Sequence, residues 1–428
     1  MSPSVNPEIN PSVILVQIFE ELSKRIAQVT EKLDELDQYT ESDTTCCDQS
    51  NLSLEAWKAA QQLSCSLDHL QSRILPPTTR IAQIAGSYIE SKAVSELGNY
   101  RVADALQDGP LHLDELAQKV NAKPDMLERV LRTSIRLGLF QETEAGSRIY
   151  ANNRTSDFLR SDHPRSQLGW VTYWPGENYN VWTKFHHALD PNQKRTVFSE
   201  YFDTDDSMWV HYEKPENRHM VKVFSDAMIG LSDLTNFGLV EDYDWSRHNG
   251  QTVADIGGGT GGFLRYLLKN RTELRGKLFD RAATIEQAKP VPALPSFPSS
   301  LLHYPELLDR VAFQSGNFFE SVCPGADVYF MRWILHDWAD SEVTQILKNI
   351  RSVIPPNGTL LIADVNMSKD ANVNERFANQ LDLMMAVYFW SKERSETEFS
   401  SLLKSSGFKF RRAWKIRSVL SIIEAVPC

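Results

Sequence analysis

No run of about eighteen apolar residues occurs anywhere in this chain, so no segment has the length of a membrane-spanning helix. The opening residues, MSPSVNPEIN, lack the basic patch and apolar stretch of a secretory signal. Cysteine is scarce: Cys46, Cys47, Cys65, Cys323 and Cys428 are odd in number and scattered, with neither disulfide-framework nor zinc-ligand spacing. Positive charge is in deficit, with a formal net charge of -11, which argues against nucleic acid because phosphate neutralisation needs a basic face. These absences point to a cytoplasmic protein with no membrane or nucleic-acid partner and no metal. What is present, 42% hydrophobic and 24% charged residues over 428 positions, suits a globular chain of two or three domains.

Hydrophobic spacing then divides the chain. Val13, Val16, Ile18, Phe19, Leu22, Ile26, Val29, Leu33 and Leu36 recur at helical spacing over 12–38, and Leu54, Trp57, Ala60, Leu63, Leu67 and Leu70 over 52–75. A Ser/Asp/Thr-rich loop at 41–51 separates the two, and Pro76-Pro77 stops the second. These helices form an N-terminal extension, 1–78. Residues 79–165 read as a winged helix. HLDELAQKV is one helix, Pro124 opens a second that Gly138 closes, and Phe140–Tyr150 forms the wing. Arg129, Arg132 and Arg136 on that second helix would suit DNA. Asp125 and Glu128 dilute the face, however, and a structural or dimerising role is the preferred reading.

Residues 166–248 are helical and dense in aromatics, from Trp170 and Trp174 to Trp209 and Tyr212, some core and some suited to line a cavity for an apolar planar ligand. From 249 to 428 strands and helices alternate, the mark of a parallel α/β sheet. Strands are expected at Thr252–Ile256, Lys277–Phe279, Ala326–Met331 and Thr359–Ala363, with two more in Phe408–Val426. Asp340 is expected to cap the helix before Pro355, and Ser395 with Glu398 to form a capping box. KPVPALPSFPSS offers only loop.

Two constellations carry chemistry. VADIGGGTGG (253–262) is a strand, a glycine run and a helix start, where backbone can approach a ligand and a helix N-terminus favours a carboxylate. Asp255 precedes the glycines, and Asp280 ends the next strand about twenty residues on, placed to bind ribose hydroxyls. The pattern fits nicotinamide, flavin and adenosylmethionine domains alike. In FMRWILHDWADSEVTQILKNI (330–350), His336 follows a strand and precedes a helix. That is the carboxyl end of a sheet, where α/β proteins bind ligands. Loop histidines are more often structural, but one here can take a proton from a hydroxyl.

GGGTGG, LFD, SGNFF, MRWILHDWAD, LLIADVNM and SKERSETEF occur in the order and spacing of a known family. From about 80 to 428 the chain resembles the caffeic-acid-type (class I) S-adenosylmethionine-dependent O-methyltransferases of fungal secondary metabolism. The resemblance implies a Rossmann-like catalytic domain, its sheet mostly parallel with an antiparallel C-terminal strand, behind a winged-helix dimerisation domain. It also implies a homodimer and a small aromatic or polyketide/alkaloid-type acceptor. By resemblance His336 is the general base, flanked by Asp364, where the family usually has Glu, and Glu393. Asp255, Gly257, Gly259 and Gly261 hold the methionine end of the cofactor and Asp280 the ribose. Asn317, where the family usually has Asp, and Phe318 meet the adenine. Arg332 stands in place of a more usual Lys, and Trp338 stacks on the purine. Two other readings remain: an adenosylmethionine-binding pericyclase or dehydratase on this scaffold, and a non-catalytic winged-helix regulator. The retained His336 weighs against the first, and its intact set with Asp364 and Glu393 against the second.

Overall fold

The computed structural model describes residues 11–40, 52–288, 305–368 and 376–428. The loops expected at 41–51 and 289–300 lie outside the described residues. Met1–Trp57 is one compact unit and Lys58–Cys428 another. The first holds α1 (Pro11–Thr40) and the first turn of α2 (Leu54–Ile74). Among the described residues no helix is long and apolar enough to cross a membrane.

The second unit opens with the remainder of α2; Pro76-Pro77 then breaks that helix and the chain restarts as α3 (Pro77–Asn99), with Pro77 in the first turn, where a missing N–H costs nothing. There follow α4 (Val102–Ala105), β1 (Leu111–His112), α5 (Leu113–Lys119) and α6 (Pro124–Arg136). Gly138 leaves α6 at φ 84°, and the wing follows as β2 (Gln141–Glu142) and β3 (Ile149–Ala151), in a small sheet of order β1-β3-β2. Leu97, Val102, Leu113, Leu116, Leu127, Leu131 and Phe140 close a core of their own. On α6, Glu128 takes Arg132 at 3.8 Å, and Arg148 within the wing at 3.5 Å.

The aromatic stretch contributes α7 (Leu168–Tyr173), α8 (Val197–Phe202), α9 (Met208–Glu213) and the long α10 (Arg218–Glu241). The remaining elements are β4 (Thr252–Ile256), α11 (Gly262–Asn270), β5 (Arg275–Asp280), α12 (Ala282–Ala288), α13 (Pro305–Leu308) and β6 (Val311–Ser315). Then come β7 (Val328–Arg332), α14 (Asp340–Val353), β8 (Thr359–Val365), α15 (Arg376–Phe389), α16 (Glu396–Ser405), β9 (Phe408–Lys415) and β10 (Leu420–Pro427).

These strands form one sheet of order β6-β5-β4-β7-β8-β10-β9. The first five lie parallel, and β10 runs antiparallel to both β8 and β9. Successive strand residues face opposite ways, so each strand feeds two cores. Val253, Val328, Phe330 and Leu361 pack with α8, α10, α11 and α15, while Ala254, Tyr329, Leu360 and Ile362 pack with α14 and α16. The aromatic segment is thus part of the sheet's own core: Phe198 and Tyr212 are buried, and Trp174 and Trp209 meet Tyr388 and Phe389 of α15.

Two details differ from expectation. Asp340 is the first residue of α14, not its cap; the Ala339 N–H at the cap position donates to Glu342 at 3.0 Å, and the Asp340 carboxylate accepts from Arg394. The strand β6 and the helix α15 answer to no expected element; β6 is a largely exposed edge strand whose polar residues mask the pattern.

Candidate active site

The strand order reverses at β4: the chain leaves it toward β5 and β6 on one side and returns to β7 and β8 on the other. At such a switch the loops leaving the two central strands part and open a crevice at their carboxyl ends. After β4, Gly257, Gly259 and Gly261 take φ of 72°, 60° and 84°, a backbone that side chains rarely adopt. A Cβ on Gly258 would stand 2.6 Å from the Asp255 carboxyl, so the loop can turn here only without one. Asp280, at the end of β5, anchors the loop: Oδ2 accepts the Gly259 N–H at 2.8 Å and Oδ1 its own neighbour Arg281 N–H at 2.7 Å. Gly261 precedes the first turn of α11, whose free N–H groups favour negative charge. Asp255 is buried on β4; burial pushes its carboxyl up to about 7, against the pull of Arg332.

After β7 the chain turns at Trp333, a left-handed residue with φ 56°, and its N–H donates to Asp364 Oδ1 at 3.0 Å. Three residues on, His336 is 7% exposed, with Nδ1 2.8 Å from Glu393 Oε1 and Nε2 3.4 Å from Asp337 Oδ1. Burial alone depresses a histidine. Here the carboxylates of Glu393, Asp337 and Asp364 outweigh it and push the imidazole up to about 10. Burial in turn pushes Asp337 and Asp364 up to about 7, opposed by the charge of His336. Glu393 comes from the turn after α15, so three segments distant in sequence meet at one imidazole. Ile334 bridges the two halves of the crevice, since a Cβ on Gly257 would stand 2.5 Å from its Cδ1.

The other expected cofactor residues lie around this crevice in different states. Asn317, just past β6, is exposed; its Oδ1 accepts the Phe319 N–H at 3.1 Å and its Nδ2 donates to Glu320 at 3.0 Å. Phe318 stands 3.8 Å from the Gly257 Cβ position and makes an edge contact with half-buried Trp338. Arg332 is turned toward α10, donating to Asn236 at 2.6 Å and Ser232 at 3.2 Å, with its guanidinium over the Phe263 ring.

Sequence reasoning passed over four residues here. Asp337 adjoins His336 in the HDW motif, with its Oδ1 3.4 Å from the imidazole Nε2. Asp382 on α15 accepts the Glu393 N–H at 2.9 Å. Trp333 packs its ring 5.1 Å from the imidazole, in a conformation no pattern announces. Arg394 is 1% exposed and donates to the Leu335 and Trp338 carbonyls, each at 2.7 Å, and to Asp340 at 2.8 Å. It therefore ties the segment carrying Glu393 to the loop carrying His336. Its signal was its place beside Glu393 in the KER motif.

Among the described residues, no cluster of His, Cys, Asp and Glu has the makings of a metal site. Several polar atoms about the crevice are buried without a partner: Asp255 Oδ2, Asp364 Oδ2, Glu393 Oε2 and Trp333 Nε1. Buried polar groups are normally paired, so such orphans suit a crevice whose ligands supply hydroxyl and amine groups. A separate cavity of about 530 Å³, lined by Arg247, Arg412, Trp414 and Glu424, includes Thr359 at the start of β8 and so lies toward the amino end of that strand, away from the crevice.

Comparison with known proteins agrees with this arrangement. An O-methyltransferase domain matches residues 182–409, and an O-methyltransferase dimerisation domain matches 82–162. The phenazine O-methyltransferase PhzM of Lysobacter antibioticus is 31% identical over 82% of this chain and 97% of its own length. The O-methyltransferase sirM of Leptosphaeria maculans is 29% identical over 84% and 86% respectively. The crystal structure of CalO1, a methyltransferase of calicheamicin biosynthesis in its SAH-bound form, superposes with a TM-score of 0.70 at 26% identity, over 82% of this chain and 98% of that one. The chain belongs to the O-methyltransferase family. It is an S-adenosylmethionine-dependent enzyme that methylates oxygen, and it carries the family's dimerisation domain.

Proposed function

We propose that His336 is the general base of this methyltransferase and that its acceptor is a phenolic or enolic hydroxyl on a small aromatic secondary metabolite. The observation that carries the reading is the buried 2.8 Å contact between His336 Nδ1 and Glu393, at the carboxyl end of the sheet where the glycine loop begins. A carboxylate on Nδ1 holds the proton there and leaves Nε2 to accept one from the acceptor. Asp364 and Glu393 orient the ring and stabilise its protonated form. S-adenosylmethionine, when bound, supplies a methyl group already activated on a sulfonium. The residues suited to hold it are Gly257, Gly259 and Gly261 with Asp255 at the methionine end, and Asp280 at the ribose. Phe318, Asn317 and Trp338 suit the adenine. Arg332 acts here through Asp255 and α10. The protein then has to align the oxygen with the methyl carbon and exclude water, and alignment alone is worth on the order of 7–11 kcal/mol.

The aromatic wall of Trp170, Trp174 and Trp209 against α15 supports a planar acceptor, as do relatives whose names refer to phenazine and calicheamicin biosynthesis. The dimerisation domain supports a homodimer. Free Cys65, Cys323 and Cys428 support a cytoplasmic setting. The test is a panel of phenols with methyl-labelled S-adenosylmethionine, comparing the native enzyme with His336→Asn. Label transfer to phenols by the native enzyme alone is the expected result; equal transfer by both would refute the base.

A further inference from the structure

Two nitrogens in the aromatic segment are buried without a partner, and neither the base nor the cofactor site uses them. Trp174 follows α7, and its Nε1 is enclosed although the ring as a whole is half-buried. Asn178, in the turns of Glu177–Leu189, is fully buried. Its Oδ1 accepts the Tyr388 hydroxyl at 3.1 Å, while its Nδ2, beside the Tyr173 hydroxyl, meets no acceptor in hydrogen-bond geometry. Both residues flank Tyr388, whose ring stands 5.6 Å from the Trp174 ring. Tyr388 lies on α15, the helix that packs against the Leu335–Asp337 turn carrying His336. Five residues separate Tyr388 from Glu393, so their Cα atoms are at most about 18 Å apart. A buried N–H with no partner is costly, and two of them around one ring suit a place where a ligand completes them.

We propose that Trp174 Nε1 and Asn178 Nδ2 bind a ring carbonyl oxygen of the acceptor, remote from the hydroxyl that is methylated. The proposal rests on the acceptor reading above and narrows it to aromatic hydroxyketones and hydroxyquinones. The chemistry of the two groups decides the class. An indole N–H can only donate, and so can the Nδ2 of an amide. A carbonyl oxygen offers two lone pairs to two donors, whereas a hydroxyl would bring a hydrogen that neither N–H can accept. A buried carboxylate would need a cation. Lys92, which reaches this segment from α3, is held by the Pro175 carbonyl over the Tyr179 ring. A neutral carbonyl therefore fits both donors best. Trp174 and Asn178 are specificity-determining residues in this account, and His336 keeps the chemistry.

The test measures binding by calorimetry with saturating S-adenosylhomocysteine, so that the acidity of the hydroxyl does not enter through turnover. The ligands are a hydroxytetralone and the hydroxytetralin of the same ring frame, which differ by one carbonyl oxygen. The full-length native enzyme binds the ketone at least ~tenfold tighter than its partner. In Trp174→Phe, which keeps a ring but loses the N–H, that ratio falls to about twofold or less. The ratio is the readout because a merely structural loss weakens both ligands alike. Equal native affinities overturn the carbonyl subsite, and methylation of both ligands with S-adenosylmethionine then leaves the acceptor reading standing. A ratio unmoved by Trp174→Phe overturns the proposal, as does tighter native binding of a hydroxytetralin carboxylic acid than of the ketone. Failure of both ligands to bind overturns the acceptor reading and this proposal with it.

Discussion

His336→Asn separates the base from the buried pair that holds it. Alanine at this position would leave Glu393, whose side chain is fully buried, facing a void with no counter-charge, and stranding a buried charge typically costs about 3–5 kcal/mol. Asparagine keeps an amide N–H for the carboxylate yet cannot take a proton. Turnover on an ordinary phenol should fall by about 10²–10⁴, while cofactor affinity by calorimetry stays within about twofold. The pH dependence is the sharper reading. With the imidazole pushed up to about 10, the protonated ring dominates at pH 7.5, where about nine in ten ordinary histidines are neutral. Histidine NMR of the cofactor-free enzyme should therefore show one ring, absent in the variant, that titrates well above the usual range. Turnover of the native enzyme should still be rising above pH 7, and the rise should vanish in His336→Asn. A pair whose folded pKa is raised stabilises fully below the ordinary value near 6.5 and loses that contribution as pH climbs through about 10. A ring titrating near 6.5 with a rate plateau by pH 7 would refute this account, as would near-native turnover by the variant on an unactivated phenol.

Asp280→Ala should weaken S-adenosylhomocysteine binding by about 10–100-fold by calorimetry, since it removes a charged acceptor and the anchor of the Gly259 N–H; unchanged affinity would move the ribose elsewhere. Gly258→Ala should lower the melting temperature and cofactor affinity together, because its Cβ meets Leu278 at 2.5 Å and the Asp255 carboxyl at 2.6 Å. Arg394→Met should lower turnover by releasing the Leu335 and Trp338 carbonyls, with the rate's pH midpoint moving down as Glu393 drifts from His336; an unmoved midpoint would make Arg394 structural only. Light scattering at micromolar concentration should give twice the chain mass of 48.7 kDa.

Strand periodicity located β4, β7 and β8 within two residues at most of their ends, because strands buried on both faces read as continuous apolar runs bounded by turn residues. The same signal failed for β6, whose exposed edge position lets polar residues stand where a central strand carries apolar ones. The glycine run and the HDW and KER motifs named the candidate residues without placing them, since spacing along a chain says nothing of which loops meet. Strand order brought the β4 and β7 loops together, and the return of the chain after α15 carried Glu393 to within 2.8 Å of a histidine 57 positions earlier. That convergence is also what changed the chemistry expected of His336. In the sequence it is a histidine of ordinary pKa; buried among three carboxylates it becomes a group that holds its proton through neutrality. Local pattern determined the elements because helix and strand propensities act over a few residues. The site's geometry and charge were decided by tertiary structure, because Coulomb energy depends on distances in space and on burial.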